Sequence, residues 1–218
     1  MARPQPYKLA DGARAPSVTT ILSGIGWNKE VLMRWANRIG LEEGKSLDDA
    51  REAADIGTIV HAMIEGFRKG EAVDLGKVPD ALREPAETAY RSFLRWSDGS
   101  VQEPLGVELR MVSENHRFGG TCDYVYRNKD SKVCLLDYKT SAGVYVDHLL
   151  QVCGYGLLWD DAHPEMPIEL YETLRLSKVS GAFEHASYPA AKLKPFGEAF
   201  LVARKLHDYR GQLEKMMR

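Results

Sequence analysis

No stretch of the 218-residue chain approaches the run of about 18 to 20 apolar residues that a membrane-spanning helix needs. Met1 to Pro6 also lacks the basic-then-apolar order of a secretory signal. Both absences lead us to expect an intracellular, cytoplasmic protein with no membrane partner. Cysteine is scarce: Cys122, Cys134 and Cys153 form no C-x-x-C pair and no Cys/His spacing. Odd in number and set among apolar residues, they read as reduced core thiols rather than metal ligands. Charge of one sign is missing too. The 29 Lys and Arg against 31 Asp and Glu leave a net charge of −2, so there is no global cationic signature of a nucleic-acid binder, and phosphate contacts must come from local patches. The C-terminal Lys192, Lys194, Arg204, Lys205, Arg210, Lys215 and Arg218 form one candidate, which reads first as a solvated helix face. No repeat, low-complexity linker or G-x-x-x-x-G-K-[ST] phosphate loop occurs, so no ATP-driven helicase is built in.

What is present suffices for one core: 44% of the residues are hydrophobic, and the length suits a single domain spanning 1–218. A turn is expected at Tyr7 to Gly12, followed by a short helix carrying Ile21 and Leu22 and capped by Ser17 or Thr19. Helical spacing continues around Lys29 to Arg38. It is clearest from Leu47 to Arg68, where Ile56, Ile59, Val60, Met63, Ile64 and Phe67 recur on one face before Gly70 stops the helix. That helix carries His61. A further helix is expected from Pro79 to Trp96, ended by Asp98-Gly99.

The period then changes to two. Val107, Leu109 and Met111 alternate with Glu108, Arg110 and Val112, which predicts a strand with Glu108 on the face away from Val107. Strands follow at Asp123 to Tyr126 and Val133 to Lys139, with a polar turn between them at Arg127 to Lys132. Asp147 to Trp159 is helical again, Ile168 to Leu176 and Phe183 to Tyr188 read as strands, and a long helix runs from Ala190. This order predicts an α/β protein with a mixed central β-sheet flanked by helices. Residues 1–100 form a mainly helical N-terminal elaboration, 101–190 the sheet core and 190–218 a C-terminal helix.

Chemistry concentrates on Leu136-Asp137-Tyr138-Lys139-Thr140. In an extended strand Asp137 and Lys139 share a face, and a hairpin brings in Asp123. Two carboxylates beside an ammonium suit a magnesium-type ion with a reacting phosphate, because Mg2+ prefers hard oxygen ligands and keeps waters for chemistry.

Taken in order, the motifs are Pro16-Ser17-Val18-Thr19-Thr20, Gly57-Thr58-Ile59-Val60-His61, Glu108, Gly119-Gly120-Thr121-Cys122-Asp123, Asp137-Tyr138-Lys139-Thr140-Ser141 and Gln151-Val152-Cys153-Gly154-Tyr155. This series resembles the PD-(D/E)XK nucleases of the RecB-like branch, particularly phage and mitochondrial exonucleases, across nearly the whole chain. The resemblance implies a restriction-endonuclease-like core. It also implies a Mg2+ or Mn2+ ion held by Asp123, Asp137, His61 and the Tyr138 backbone carbonyl, with Lys139 assisting the attacking water. Imidazole favours the softer Mn2+. Glu108 would bind metal through water or orient a ligand. Gln151 and Tyr155, four apart on one helical face, would contact substrate with Thr140 and Ser141, and Gly57 would permit a close approach. Iron-sulfur members of the branch place three cysteines near the C-terminus; none follows Cys153 here, so no cluster is expected.

The implied function is metal-dependent hydrolysis of DNA, as an exonuclease on single strands or free ends in recombination, repair or replication. A recombination or replication protein would be its partner, in a bacterial or phage-infected cell. Trp27, Trp35 and Tyr145 are candidates for stacking on bases. Two alternatives stand beside this reading: a structure- or sequence-selective endonuclease, and a non-catalytic DNA-binding module on the same fold.

Overall fold

The computed structural model describes residues 5–26, 47–100 and 102–217. The expected helix around Lys29 to Arg38, with Trp27 and Trp35, lies outside the described residues. β1 (Tyr7–Lys8) and β2 (Arg14–Ala15) pair as a small hairpin around the expected turn, where Gly12 adopts a φ of 81° that a side chain would resist. The N-terminal part is therefore not wholly helical. In α1 (Val18–Ile25) the capping residue is Ser17, whose hydroxyl accepts from the Thr20 N–H at 3.0 Å, and Gly26 closes the helix in the left-handed region.

α2 (Leu47–Lys69) ends as its sequence suggests. Gly70, at φ 72°, donates to the Phe67 carbonyl and Glu71 to that of Gly66, a Schellman pair that satisfies the last carbonyls. Ile56, Ile59, Val60, Met63 and Ile64 are buried, each stabilising by about 1.5–3 kcal/mol. Phe67, expected on the same stripe, is 47% exposed and packs by its edge on Phe93. α3 (Asp80–Asp98) buries Ala86, Ala89, Phe93 and Trp96 beside it.

The main sheet has the order β3 (Gln102–Ser113), β4 (Phe118–Asn128), β5 (Val133–Lys139), β6 (Leu170–Leu176), β7 (Phe183–Pro189). Every pair is antiparallel except β5 with β6, which α4 (Val146–Ala162) joins by a crossover. α5 (Ala190–Met216) completes the chain. This is the expected mixed α/β architecture, compatible with a restriction-endonuclease-like core.

The sheet has a core on each face. Val133 and Leu135 of β5 point into one, with residues of α1, α4 and α5. Cys134, Leu136 and Tyr138 point into the other, with α2 and α3. All of Val133 to Leu136 is at most 3% exposed, as a continuous apolar run in a central strand requires. The three cysteines are free and buried.

One expectation about β3 fails. Val107 packs into the α2/α3 core, whereas Leu109 and Met111 pack into the opposite one, so these three residues do not share a face. Glu108 between them has a φ of 49°. This left-handed step reverses the pleat and breaks the period of two.

Candidate active site

The strand register explains why the acids meet. Tyr124 lies opposite Leu136, so one step along the ladder Asp123 falls opposite Asp137. Val107 opposes Tyr124 and Leu109 opposes Cys122, which sets Glu108 against Asp123. Thr173 of β6 is the register partner of Asp137. Glu108, Asp123, Asp137 and Thr173 thus form one row across four strands, a convergence invisible in chain order.

Helices add to this row from both sides. α2 projects His61 over β4 and β5, with Nδ1 3.4 Å from Asp123 Oδ1 and Nε2 3.2 Å from the Tyr138 carbonyl oxygen. The other Asp123 oxygen accepts the Tyr138 N–H at 2.7 Å. α4 contributes Gln151, whose Oε1 accepts from Lys139 Nζ at 3.0 Å while its amide donates to the Tyr155 hydroxyl at 2.9 Å. Lys139 Nζ also lies 2.5 Å from Asp137 Oδ2. The ammonium is poorly aimed at that oxygen, which accepts no well-formed hydrogen bond. Two glycines permit the close packing. A methyl at Gly57 would stand 3.1 Å from Thr140 Oγ1, and one at Gly120 would stand 2.8 Å from the Tyr155 ring.

The electrostatics follow from burial and proximity. Burial opposes an imidazolium at His61, but the Asp123 carboxylate outweighs it and lifts the pKa to about 9. Burial pulls Asp123 upward, and His61 overrides that to hold it below the usual range. Asp137 is pushed up to about 6 by burial, with Lys139 opposing. Burial and then Asp123 raise Glu108 to about 7. Three carboxylates and one imidazole thus share fewer protons than they can bind, an arrangement that suits displacement of those protons by a cation.

His61, Glu108 and Asp123 each offer a ligand atom within 4.8 Å of the other two. The donor set, one imidazole and two carboxylates with an under-satisfied Asp137 oxygen and a backbone carbonyl nearby, fits a divalent cation that accepts oxygen and nitrogen. Asp137 lies outside this group of three, beside Lys139. Glu108 is not the strand-surface acid paired with Arg110 or Arg117 that its sequence position also allows. Arg110 stacks on Tyr7 at 3.9 Å, and Arg117 pairs with Asp11 at 3.0 Å. Ser141 turns its hydroxyl to the Gly143 carbonyl, and Tyr145 is 52% exposed. The C-terminal basic residues are not one solvated face, because Arg204 is buried and donates to the Arg117 carbonyl.

Sequence reasoning passed over two residues here. Thr173 is fully buried with Oγ1 unpartnered beside Asp137; its only signal is the polar Glu172-Thr173 pair inside an apolar strand. His148 precedes Gln151 by one turn of α4, and burial followed by the Lys139 charge pushes it down to about 4.

No protein-family model matches the chain, and no curated protein matches it. Among solved structures it is similar to one described as the crystal structure of SSO0001, at 14% identity over 67% of this chain and 74% of that one, with a TM-score of 0.31. It is also similar to the crystal structure of LHK-Exo in complex with dAMP, at 10% identity over 77% of this chain and 92% of that one, with a TM-score of 0.36. Likenesses this distant assign no residue a role, so the functional reading rests on the site's geometry.

Proposed function

We propose that the chain is a metal-dependent deoxyribonuclease of RecB-like type that hydrolyses phosphodiester bonds, acting as an exonuclease on single-stranded or free-ended DNA. The observation that carries this reading is the meeting of His61, Glu108 and Asp123 within 4.8 Å, with the Asp137–Lys139 pair beside them.

Asp123, Glu108 and His61 would hold Mg2+ or Mn2+, with Asp137 and the Tyr138 carbonyl completing the set. When bound, the ion would activate water and neutralise phosphate oxygens. Lys139, fixed by Gln151 and Asp137, would hold the attacking water and offset negative charge developing on the phosphoryl group. Gln151 keeps the ammonium aimed, and Tyr155 keeps Gln151 aimed. Thr140 and Ser141, directly after the strand, would contact the substrate backbone, and exposed Tyr145 would stack on a base. A backbone held left-handed at Glu108 costs about 1–3 kcal/mol, and such strain clusters at functional sites. It supports a binding role for that carboxylate over a purely structural one.

The test is cleavage of a labelled oligonucleotide with Mg2+ or Mn2+. Asp137→Ala should abolish it and Lys139→Ala should slow it by about 10²–10⁴-fold; intact cleavage by both would overturn the proposal. Linear single strands should be degraded while closed circles survive; turnover of circles would instead make the protein an endonuclease.

A further inference from the structure

The Gly119-Gly120-Thr121 run ahead of Asp123 is only partly used by the candidate active site. Gly120 makes room for Tyr155, whereas Gly119 and Thr121 serve the N-terminal hairpin. A methyl at Gly119 would stand 2.5 Å from the Tyr7 ring, so the ring lies directly on the strand backbone. The hydroxyls of Tyr7 and Thr121 share a hydrogen bond at 2.8 Å. Seated on both, the ring carries the Arg110 guanidinium over its face, 3.9 Å from the centroid, while one guanidinium nitrogen donates to the Gln5 carbonyl at 2.7 Å. Arg110 is exposed, most of its N–H donors stay unspent, and among the described residues it forms no ion pair. The hairpin does not need this cation to stay in place. Leu9 and Ala15 are buried, the Ala10 N–H donates to Glu114 at 2.8 Å, and Arg117 pairs with Asp11 at 3.0 Å.

We propose that Arg110 is a substrate contact: it grips the phosphate next to the one being cleaved, and Tyr7 is the positioning residue that aims it. This role rests on the nuclease reading of the neighbouring carboxylates. Arg110 lies opposite Thr121, two ladder steps from the level where Glu108 meets Asp123, a separation of roughly 7 Å along the strands. That is close to the step between neighbouring phosphates of an extended nucleic-acid strand. A planar guanidinium with unspent donors suits a two-pronged contact with phosphate oxygens. Only two residues from Glu108 on the same strand, an untethered cation would fold onto that carboxylate and cancel the charge a metal needs. The Tyr7 ring and the Gln5 carbonyl hold it away. A fixed cation just outside the acids also offsets their repulsion of a polyanion and sets which linkage reaches them.

Fluorescence anisotropy of a labelled single-stranded oligonucleotide, in Ca2+ and over a salt series, tests this beside a cleavage assay in Mn2+. Arg110→Gln should weaken binding about 10-fold at low salt and flatten the slope of log affinity against log salt by about 0.7, the value of one phosphate contact. Mn2+ affinity and the circular dichroism spectrum should stay unchanged. Replacing one phosphate at a time by an uncharged methylphosphonate should locate the contact. In wild type the linkage next to the cut should be sensitive, and in Arg110→Gln the same linkage should be silent. Tyr7→Leu should reproduce that loss in part, and adding it to Arg110→Gln should cost nothing more. An Arg110→Gln protein that binds with the wild-type affinity and salt slope would overturn the proposal, as would a wild-type scan with no sensitive linkage beside the cut. Both results leave the nuclease reading standing if wild type still cleaves. Arg110-dependent binding by a protein that cleaves nothing would instead keep the phosphate contact and overturn the nuclease reading.

Discussion

Replacing Glu108 with glutamine should stabilise the metal-free protein and cripple it with metal. The carboxyl is pushed to about 7 from its ordinary 4.5 by burial and by Asp123. A group raised in the folded state leaves stability intact below the unfolded value and removes it as pH climbs through the folded one. Above pH 7 the full gap is worth about 3.5 kcal/mol at ~1.4 kcal/mol per pH unit. Partial exposure and coupling to His61 and Asp123 reduce this to about 1–2 kcal/mol. Glutamine keeps the shape without the charge. Metal-free Glu108→Gln should therefore melt higher than wild type at pH 8 by about 5 °C for a chain of this size. The difference should vanish below about pH 4, where the carboxyl is protonated in the folded and the unfolded chain alike. Saturating Mn2+ should reverse the order, because the wild type alone keeps this ligand. Scanning calorimetry at both pH values, with EDTA or Mn2+, reads all of these outcomes. A metal-free variant less stable than wild type at pH 8, or one stabilised by Mn2+ as much as wild type, would refute the reasoning.

Three further outcomes follow from the same geometry. Mn2+ affinity should rise with pH from 6 to 9 and then level off, because Asp137, Glu108 and His61 give up protons near 6, 7 and 9; calorimetric titration in buffers of different ionisation heat should count the protons released. Lys139→Met should keep Mn2+ binding but lower the cleavage rate by about 10²–10⁴-fold in single-turnover assays, the range expected when one proton-transfer or charge-stabilising group is lost. Gly120→Ala should destabilise by about 1–3 kcal/mol in urea unfolding, because its methyl would collide with the Tyr155 ring and with Leu158. It should also slow cleavage by disturbing the Tyr155–Gln151–Lys139 chain.

Much of the fold could be read from periodicity, since the α2 stripe, the apolar β5 run and the closing glycine at position 70 are local signals. The paired acids Asp123 and Asp137 were also legible, because a short polar turn between two strands leaves little choice of register. Glu108 was harder. Its strand alternates well on paper, and only the left-handed backbone at that residue sends Leu109 to the other face and brings the carboxylate against Asp123. Thr173 and His148 carry no motif; their place depends on a parallel pairing and a helix packing that join distant parts of the chain. The small β1/β2 hairpin was hidden because two-residue strands leave no periodic trace.

The central claim is that His61, Glu108 and Asp123 hold the ion on which DNA cleavage depends. Free Mn2+ measured by electron paramagnetic resonance, on the same samples assayed for oligonucleotide cleavage, tests it in wild type and in Asp123→Asn. The account predicts that wild type depletes free Mn2+ and cleaves, with both effects lost together in the variant. Cleavage that persists in Asp123→Asn, or in wild type with no Mn2+ bound and EDTA present, would contradict it.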